Sequence, residues 1–377
     1  MNIAFYTIDF YDGRQKLMPW RTVIEICQRM IFAGHHVIII NGSSEIGHDF
    51  TCSNIFVKSI GLGYDKLANK VIEEKIDILF MQITWRDGLK DMSSLNIIKS
   101  PKIAYFSGGV YDSYSAFLLA KNWGVNVAKP YLLESLIPKR ILIKKLKEVG
   151  FKTIIGQTPY TTHCCKKAGF ENSIAFLTGK DKFNEINPDY SLLKKYGLEG
   201  NKWMLFSGAP APTRGACELL KAIDRTYEKD VKVVFLMRTD IGSDYDIFNK
   251  TYECLKHKEK VVIIREKANR EQLRVFFGNA YYVLLPFLVI PSEIPVTYLE
   301  VFSCGTPIIT FNNGGTTQLL NHGMVISGKS ISSLAVTIDK AWKSDEMRNQ
   351  KSKAALDIIR KYPTWDEVAS KWMQLIE

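Results

Sequence analysis

The residues with the most chemical content lie between Pro286 and Leu320, in the stretch PFLVIPSEIPVTYLEVFSCGTPIITFNNGGTTQLL. Pro295 suits the first turn of a helix, where its missing N–H costs nothing, and Val296–Ser303 continues that helix. Gly305 ends it, and Thr306-Pro307 leads into a strand. Glu293 therefore precedes the helix and Glu300 sits on its second turn, so both carboxylates can face one cleft. Between them the helix N-terminus offers unpaired N–H groups and the positive end of a dipole, suited to a diphosphate or to sugar hydroxyls. Carboxylates accept hydrogen bonds from ribose or sugar hydroxyls; the same pair would equally serve as solvated charges flanking a helix. Arg214, in SGAPAPTRGACELLKAI (Ser207–Ile223), stands at a helix start, where a cation opposes the dipole unless an anion is bound. Ser107-Gly108-Gly109 follows a strand, as either a cleft-lining loop or a plain turn. His163-Cys164-Cys165 has metal-ligand residue types, but on a helix after Pro159 neighbouring side chains point apart. His35 and His36 read as residues at a helix end.

These residues need a frame, and the chain supplies one. Apolar runs Asn2–Ile8, Val37–Asn41, Ile76–Gln82, Lys102–Phe106 and Thr153–Ile155 predict strands, with a helix over Val23–Phe32 stopped at Gly34. After a loose polar stretch, Gly179–Gly200, a second series begins. Lys202–Ser207, Val231–Met237, Lys260–Arg265, Tyr281–Pro286, Pro307–Phe311 and Met324–Ile326 predict strands, and Arg214–Tyr227 a helix. Strands alternating with helices imply parallel sheets covered on both faces. The expected fold class is α/β, two doubly wound domains facing a central cleft, with ligands beyond the carboxyl ends of the strands.

Composition narrows the class. With 377 residues, 46% apolar and 24% charged, the chain is neither disordered nor coiled coil. The longest apolar run, Ala280–Pro291, is broken by Pro286 and is shorter than the roughly 18–20 residues of a spanning helix. MNIAFYTIDF meets Asp9 without a basic leader, so no signal peptide is expected. Seven cysteines without a Cys-x-x-Cys favour reduced thiols and a cytoplasmic location. The net charge of +11 raises the question of an anionic partner: nucleic acid, membrane surface or phosphate-bearing ligand. Six basic residues against Glu148 fall between Lys139 and Lys152, and Leu142, Leu146 and Val149 share one helical face there. That pattern suits either peripheral contact with an anionic membrane or a solvated surface helix. No zinc-finger spacing, RNP-like run or basic-region heptad is present, so nucleic acid is not an expected partner.

The Glu pair, followed by L-E-x-x-x-C-G-T-P-I-I and a Gly-Gly loop, resembles the C-domain signature of retaining GT-B glycosyltransferases of the glycosyltransferase family four kind (group 1 glycosyltransferases). Ser207–Ile223 resembles that family's first C-domain strand, loop and helix, with its basic residue before glycine at Arg214. Glu271–Pro286 (EQLRVFFGNAYYVLLP) resembles the helix and strand before the Glu pair. Thr364-Trp365…Trp372 resembles the closing helix that crosses back to the N-domain. Gly34-His35-His36-Val37 and Thr178-Gly179-Lys180-Asp181 with Phe183 are similar to the family's G-H-x-V and domain-closing motifs.

The resemblance implies a GT-B fold with an acceptor-side domain over 1–185, a nucleotide-sugar domain over 186–355 and a closing helix over 356–377. It implies that Arg214 binds the donor diphosphate, Glu300 the ribose and Glu293 the transferred sugar. Backbone at Ile294, Val296 and Thr297 would approach phosphate and sugar, and Gly314, Gly315 and Thr316 would form a close-approach loop. Arg265 and Lys267 would lie beside the base, and Arg238 would add a second cation. Gly13 would join Ser107, Gly108 and Gly109 on the acceptor side. The donor would be a UDP- or GDP-sugar, used as substrate with no cofactor or metal, and the acceptor a glycan or lipid-linked sugar in polysaccharide biosynthesis. The enzyme would be cytoplasmic, docking on the inner membrane face through Lys139–Lys152. The chain also departs from the family pattern. Its Glu spacing is one residue short, placing Ser292 in strict alignment at the first Glu; Ala209 replaces a basic residue; Gln318 ends the Gly-Gly motif; and Lys102–Val110 lacks the family histidine. These departures keep open a nucleotide-sugar 2-epimerase and a non-catalytic, transferase-like binding subunit.

Overall fold

A computed structural model describes residues 1–15, 17–43, 48–237 and 243–377. Among these residues the strands form two sheets. The first contains β1 (Asn2–Ile8), β2 (His36–Gly42), β3 (Phe50–Cys52), β4 (Ile55–Ser59), β5 (Ile78–Ile83), β6 (Lys102–Phe106), β7 (Thr153–Gly156) and β8 (Ser173–Ala175), in the order β3-β4-β2-β1-β5-β6-β7-β8. All its pairings are parallel except the β3–β4 hairpin. The second contains β9 (Met204–Ser207), β10 (Val233–Met237), β11 (Val261–Arg265), β12 (Val283–Leu285), β13 (Ile308–Phe311) and β14 (Met324–Ser327). Its order is β11-β10-β9-β12-β13-β14, and it is parallel throughout. The central strands are buried on both faces, which is why they read as unbroken apolar runs such as VVFLM.

Helices α1 (Trp20–Phe32), α2 (Tyr64–Glu73), α3 (Ser113–Trp123), α4 (Val125–Leu136), α5 (Lys139–Glu148) and α6 (Pro159–Lys167) accompany the first sheet in sequence. Helices α7 (Ser191–Lys195), α8 (Ala216–Ile223), α9 (Ser243–Glu253), α10 (Arg270–Asn279), α11 (Val296–Ser303), α12 (Gly314–Leu320), α13 (Ile331–Lys343), α14 (Asp345–Lys361) and α15 (Trp365–Met373) follow. The doubly wound α/β architecture expected from the sequence is present in both halves. Each sheet reverses its winding once, between β1 and β5 and between β9 and β12, and crevices open beyond the carboxyl ends at such points.

Four features depart from the sequence-based expectation. The β3–β4 hairpin and β8 extend the first sheet beyond the five strands expected. The helix expected over Arg214–Tyr227 is split: Pro212–Arg214 makes a single 3₁₀ turn, and Gly215 adopts φ 71° before α8 begins. The cause is close backbone approach, since a Cβ at Gly215 would collide with the Pro286 carbonyl oxygen. Helices α3 and α4 cross to the other half, where Leu119 and Ala128 pack in the same cluster as Phe206, Leu284 and Ile309. Finally, the apolar stripe of α5 is already occupied. Leu142, Ile143 and Leu146 are buried in the core of the first sheet, each worth about 1.5–3 kcal/mol. Membrane contact through Lys139–Lys152 would therefore rest on charge alone.

Helix α15 is held to the first sheet. Thr364 and Glu367 form a capping box at its start. Trp372 lies against the rings of Phe5, Phe80, Tyr105 and Phe176, with centroids 5.3–6.0 Å apart. Among the described residues, no helix is long and apolar enough to cross a membrane.

Candidate functional site

The reversal between β9 and β12 marks where a ligand should meet the second sheet. The β9 strand runs into Gly208 at φ 128°, and the Arg214 guanidinium occupies the space that a Cβ there would need. The same guanidinium stacks 5.7 Å from the centroid of Phe287, just beyond β12. The Leu288 amide donates to the Thr213 carbonyl at 2.9 Å, which locks the two loops together. Arg214 is thus placed at the carboxyl edge of the central strands by backbone geometry that only glycine at 208 and 215 permits.

The loop after β12 then enters α11, and the two ends of that helical turn differ. Val296, Thr297 and Glu300 are partly exposed along one side, whereas Ile294 is fully buried beneath them. The first turn of α11 is therefore partly open, at the end of a helix where a phosphate or sugar oxygen can meet unpaired amides. Glu293, by contrast, is only 4% exposed. Thr158, the N-cap of α6, donates its hydroxyl to Glu293 Oε2 at 2.7 Å. Gln157 Oε1 accepts from the Glu293 amide at 2.9 Å and from the Ser292 hydroxyl at 3.1 Å. Gly109 donates its amide to the Pro291 carbonyl at 3.2 Å, and a Cβ on Gly109 would sit 3.2 Å from Glu293 Cγ. Burial raises the Glu293 pKa above its usual value, against the pull of the Thr161 and Thr158 hydroxyls and the Val110 amide. Among the described residues, Oε1 itself has no partner in hydrogen-bonding geometry.

Glu300 faces a charged cluster instead. Arg270, the first residue of α10, lies 3.5 Å from Glu300 Oε1 and 2.8 Å from Asp181. Asp181 is also 2.5 Å from Arg21 on α1 and accepts from the Trp365 indole at 3.0 Å. Burial raises the Glu300 pKa, and Arg270 partly offsets this. At Asp181 the desolvation is overcome by the bonds from Arg21, Arg270 and Trp365, which hold the carboxyl at about 2.

The glycine loop after β13 joins the Glu293 end. A Cβ on Gly315 would lie 2.6 Å from Thr158 Oγ1 and 3.0 Å from Glu293 Oε1, so the close approach expected at this glycine is real. Thr316 donates its hydroxyl to the Glu293 carbonyl, and Asn313 donates to the Phe287 carbonyl at 2.8 Å. Gly109, Gly314, Gly315, Thr316 and Glu293 all border one cavity of about 510 Å³ between the halves. Arg214, Glu300, Val296 and Thr297 do not line it. The sequence-predicted residues therefore separate into those that line this cavity and those that do not.

The remaining expected residues lie further out. Arg265, the last residue of β11, and Lys267 just after it are exposed, with Arg265 donating to Asn249. Gly13 is exposed, with open space around it. Ser107 is buried and acts as a strut, accepting from Gln82 Nε2 at 2.8 Å and, through its carbonyl, from Gln157 at 2.9 Å. Gly108 packs against the Pro291 carbonyl. Arg238 lies outside the described residues. Sequence reasoning did not single out Gln157, Thr158, Arg270, Asp112 or Lys329. The one available signal was position: Gln157–Thr158 and Lys329 follow strands β7 and β14, where α/β sheets place ligand-facing residues.

Part of the chain matches known proteins in sequence, and all of it matches them in fold. Residues 191–357 match the family described as "Glycosyl transferases group 1". A curated Bacillus subtilis (strain 168) protein named "Putative glycosyltransferase YtcC" is 27% identical over 188 residues. That match covers 47% of this chain and 46% of the relative, about half the length of each. Among solved structures, sucrose-phosphate synthase from Thermosynechococcus elongatus superposes with a TM-score of 0.74 at 12% identity, covering 100% of this chain and 98% of that one. Anabaena Alr3699/HepE in complex with UDP-glucose superposes with a TM-score of 0.68 at 14% identity, covering 100% and 99%. At those identities the likeness is one of fold, the two-domain GT-B arrangement of α/β sheets.

Proposed function

We propose that this chain, whose residues 191–357 match the group 1 glycosyltransferases, moves a sugar from a nucleotide diphosphate to a saccharide acceptor with retention of configuration. The observation that carries the reading is α11. Its first turn is partly exposed at Val296 and Thr297, within the matched segment, and its Tyr298 stacks on Phe287, the ring that Arg214 covers. A nucleotide-diphosphate sugar fits that array group by group. Arg214 and the α11 amides would neutralise the departing diphosphate, so that no metal is needed for charge balance. Glu300 would accept from the ribose hydroxyls, exchanging its contact with Arg270 for them, with the base towards Arg265 and Lys267. Glu293 would face the transferred sugar. UDP is the favoured donor nucleotide, supported by the UDP-glucose bound to the Anabaena protein of the same fold, with GDP the alternative.

In the transfer step the acceptor oxygen bonds to the anomeric carbon on the face that the diphosphate leaves. The bond from that carbon to the phosphate oxygen breaks, and the acceptor proton passes to the departing phosphate. Charge developing on the diphosphate is met by groups already in place, which is the largest single contribution that such a site can make.

Thermal unfolding with UDP, GDP, ADP and their glucose conjugates tests the reading, because a ligand that binds only the native state raises the melting temperature. At 100 times its dissociation constant a ligand adds about 2.7 kcal/mol. The expected result is a shift with one uridine or guanosine diphosphate that Arg214→Ala abolishes. Absence of a shift with any of them overturns the proposal. Conversion of a donor sugar in the absence of acceptor would replace it with epimerisation.

A further inference from the structure

Arg270 is shared between two carboxylates with different tasks. One terminal nitrogen of its guanidinium donates to Asp181 Oδ2 at 2.8 Å and reaches Glu300 Oε1 at 3.5 Å. Asp181 Oδ1 is held by Arg21 of α1 at 2.5 Å and by the Trp365 indole of α15 at 3.0 Å. Asp181 therefore belongs to the junction between the halves. Its neighbour Lys180 donates its amide to the Pro363 carbonyl at 2.9 Å, and a Cβ on Gly179 would collide with Trp365. Glu300, in contrast, is the carboxylate that the donor reading assigns to the ribose.

Helix geometry alone does not favour this arginine. It is the first residue of α10, where a cation faces the positive end of the helix dipole and is disfavoured without an anion nearby. Two carboxylates hold it there, together with the Phe183 ring, whose centroid is 5.3 Å from the guanidinium carbon. Phe183 and Asp181 come from one short segment, which thus grips the guanidinium by ring and by carboxylate. Burial is the largest influence on the Glu300 carboxyl, and the charges of Arg270, Asp181 and Arg21 follow it, so the four groups form one electrostatic unit. Within that unit the two acidic groups compete for one cation. With Asp181 in place the shorter contact is to the junction, and Glu300 keeps capacity for other donors. Without the Asp181 charge, the same guanidinium would close on Glu300.

We propose that Asp181 is a positioning residue for donor binding: by holding Arg270 at the junction it keeps Glu300 available to the ribose hydroxyls, acting through Arg270 rather than on the nucleotide. The inference rests on the transferase reading, and adds that the contact between the halves sets the affinity of the donor site.

Isothermal titration calorimetry of the full chain with UDP, GDP and ADP, each alongside its 2′,3′-dideoxy form, tests it. Asp181→Asn is expected to weaken the nucleotide that the wild type binds by about tenfold, the scale of one charge-assisted hydrogen bond. In an Arg270→Met background the same substitution should change affinity by at most about twofold, since the competing cation is gone. The dideoxy nucleotide should be indifferent to Asp181→Asn, because it lacks the hydroxyls that Glu300 accepts. Lys329→Met is the control. It removes another ion pair between the halves, to Asp112 at 3.2 Å beside the cavity that Glu300 does not line, and should leave nucleotide affinity unchanged. Arg270→Met alone, at a half-exposed position where folding is not at stake, should bind the nucleotide at least as tightly as the wild type. Weaker binding by that variant overturns the inference, as does an Asp181→Asn variant that binds like the wild type. So does an Asp181→Asn effect that persists with Arg270→Met, extends to the dideoxy nucleotide, or is reproduced by Lys329→Met. If the wild type binds none of the three nucleotides, the transferase reading falls and the inference falls with it.

Discussion

Around Glu293 the two halves meet through neutral donors and acceptors: Thr158, Gln157, Ser292 and the backbone of Gly109 and Pro291. Around Glu300, one helical stretch away, they meet through alternating charges from Arg21, Asp181 and Arg270. The residue type is the same at both places and the surroundings are opposite. A carboxylate among hydroxyls and glycines is desolvated and short of partners, so a ligand hydroxyl gains by approaching it. A carboxylate beside an arginine is already compensated, so a ligand must displace a partner to reach it. The first arrangement is fixed by fit and the second by charge, which makes the second the one sensitive to salt.

The sharpest way to break this contrast is Glu293→Ala. Loss of the buried carboxylate should lower kcat for sugar transfer by about 10²–10³-fold with little change in donor KM, measured by steady-state product release. Glu300→Ala should act the other way, raising donor KM by about 10–100-fold for a lost charged hydrogen bond of roughly 1.5–3 kcal/mol, with a smaller change in kcat. Equal effects of the two on KM would erase the distinction. Asp181→Asn leaves Arg21 and Arg270 without their shared carboxylate and should cost about 1–2 kcal/mol in urea unfolding at pH 7, less in 1 M salt. The Asp181 carboxyl is held at about 2 in the folded protein, below its unfolded value, so its stabilisation is present above pH 4 and fades as pH falls towards 2. The gap between wild type and Asp181→Asn should close over that range. Smallest, Glu293→Gln should raise the melting temperature slightly while lowering activity. Its folded pKa lies above the unfolded value, so the charged form opposes folding increasingly as pH rises from about 4.5. That gain should be visible at pH 7 and absent at pH 4.

The second sheet was legible strand by strand because each strand is a short apolar run bounded by turns, and buried parallel strands leave that signature. Glu293 and Glu300 stood out as a pair because their spacing around one helix is local, whereas Arg214 and the glycines at 314 and 315, on other elements, took their roles from the resemblance to a known family. Thr158, Gln157, Asp112 and Lys329 were not legible, since each acquires a role only through a partner more than 100 residues away. The α5 stripe shows a further limit. Periodicity revealed an apolar face over Leu142 and Leu146, but a face pattern does not say what covers it, and here the domain's own core does. Likewise, nothing in the composition of α3 and α4 says that they pack on the other half, where Asn122 and Trp123 donate to the buried Glu218 at 3.0 and 3.2 Å.

The placement of Trp372 also sets a timetable. The ring that completes the aromatic cluster of Phe5, Phe80 and Tyr105 is contributed by a residue more than 360 positions after the first strand. During synthesis the amino-terminal sheet emerges first, yet one face of it stays unfilled until residues 365–373 have left the ribosome. Final packing of that face waits for the second half to be made, and the contact that closes it is among the longest-range in the chain.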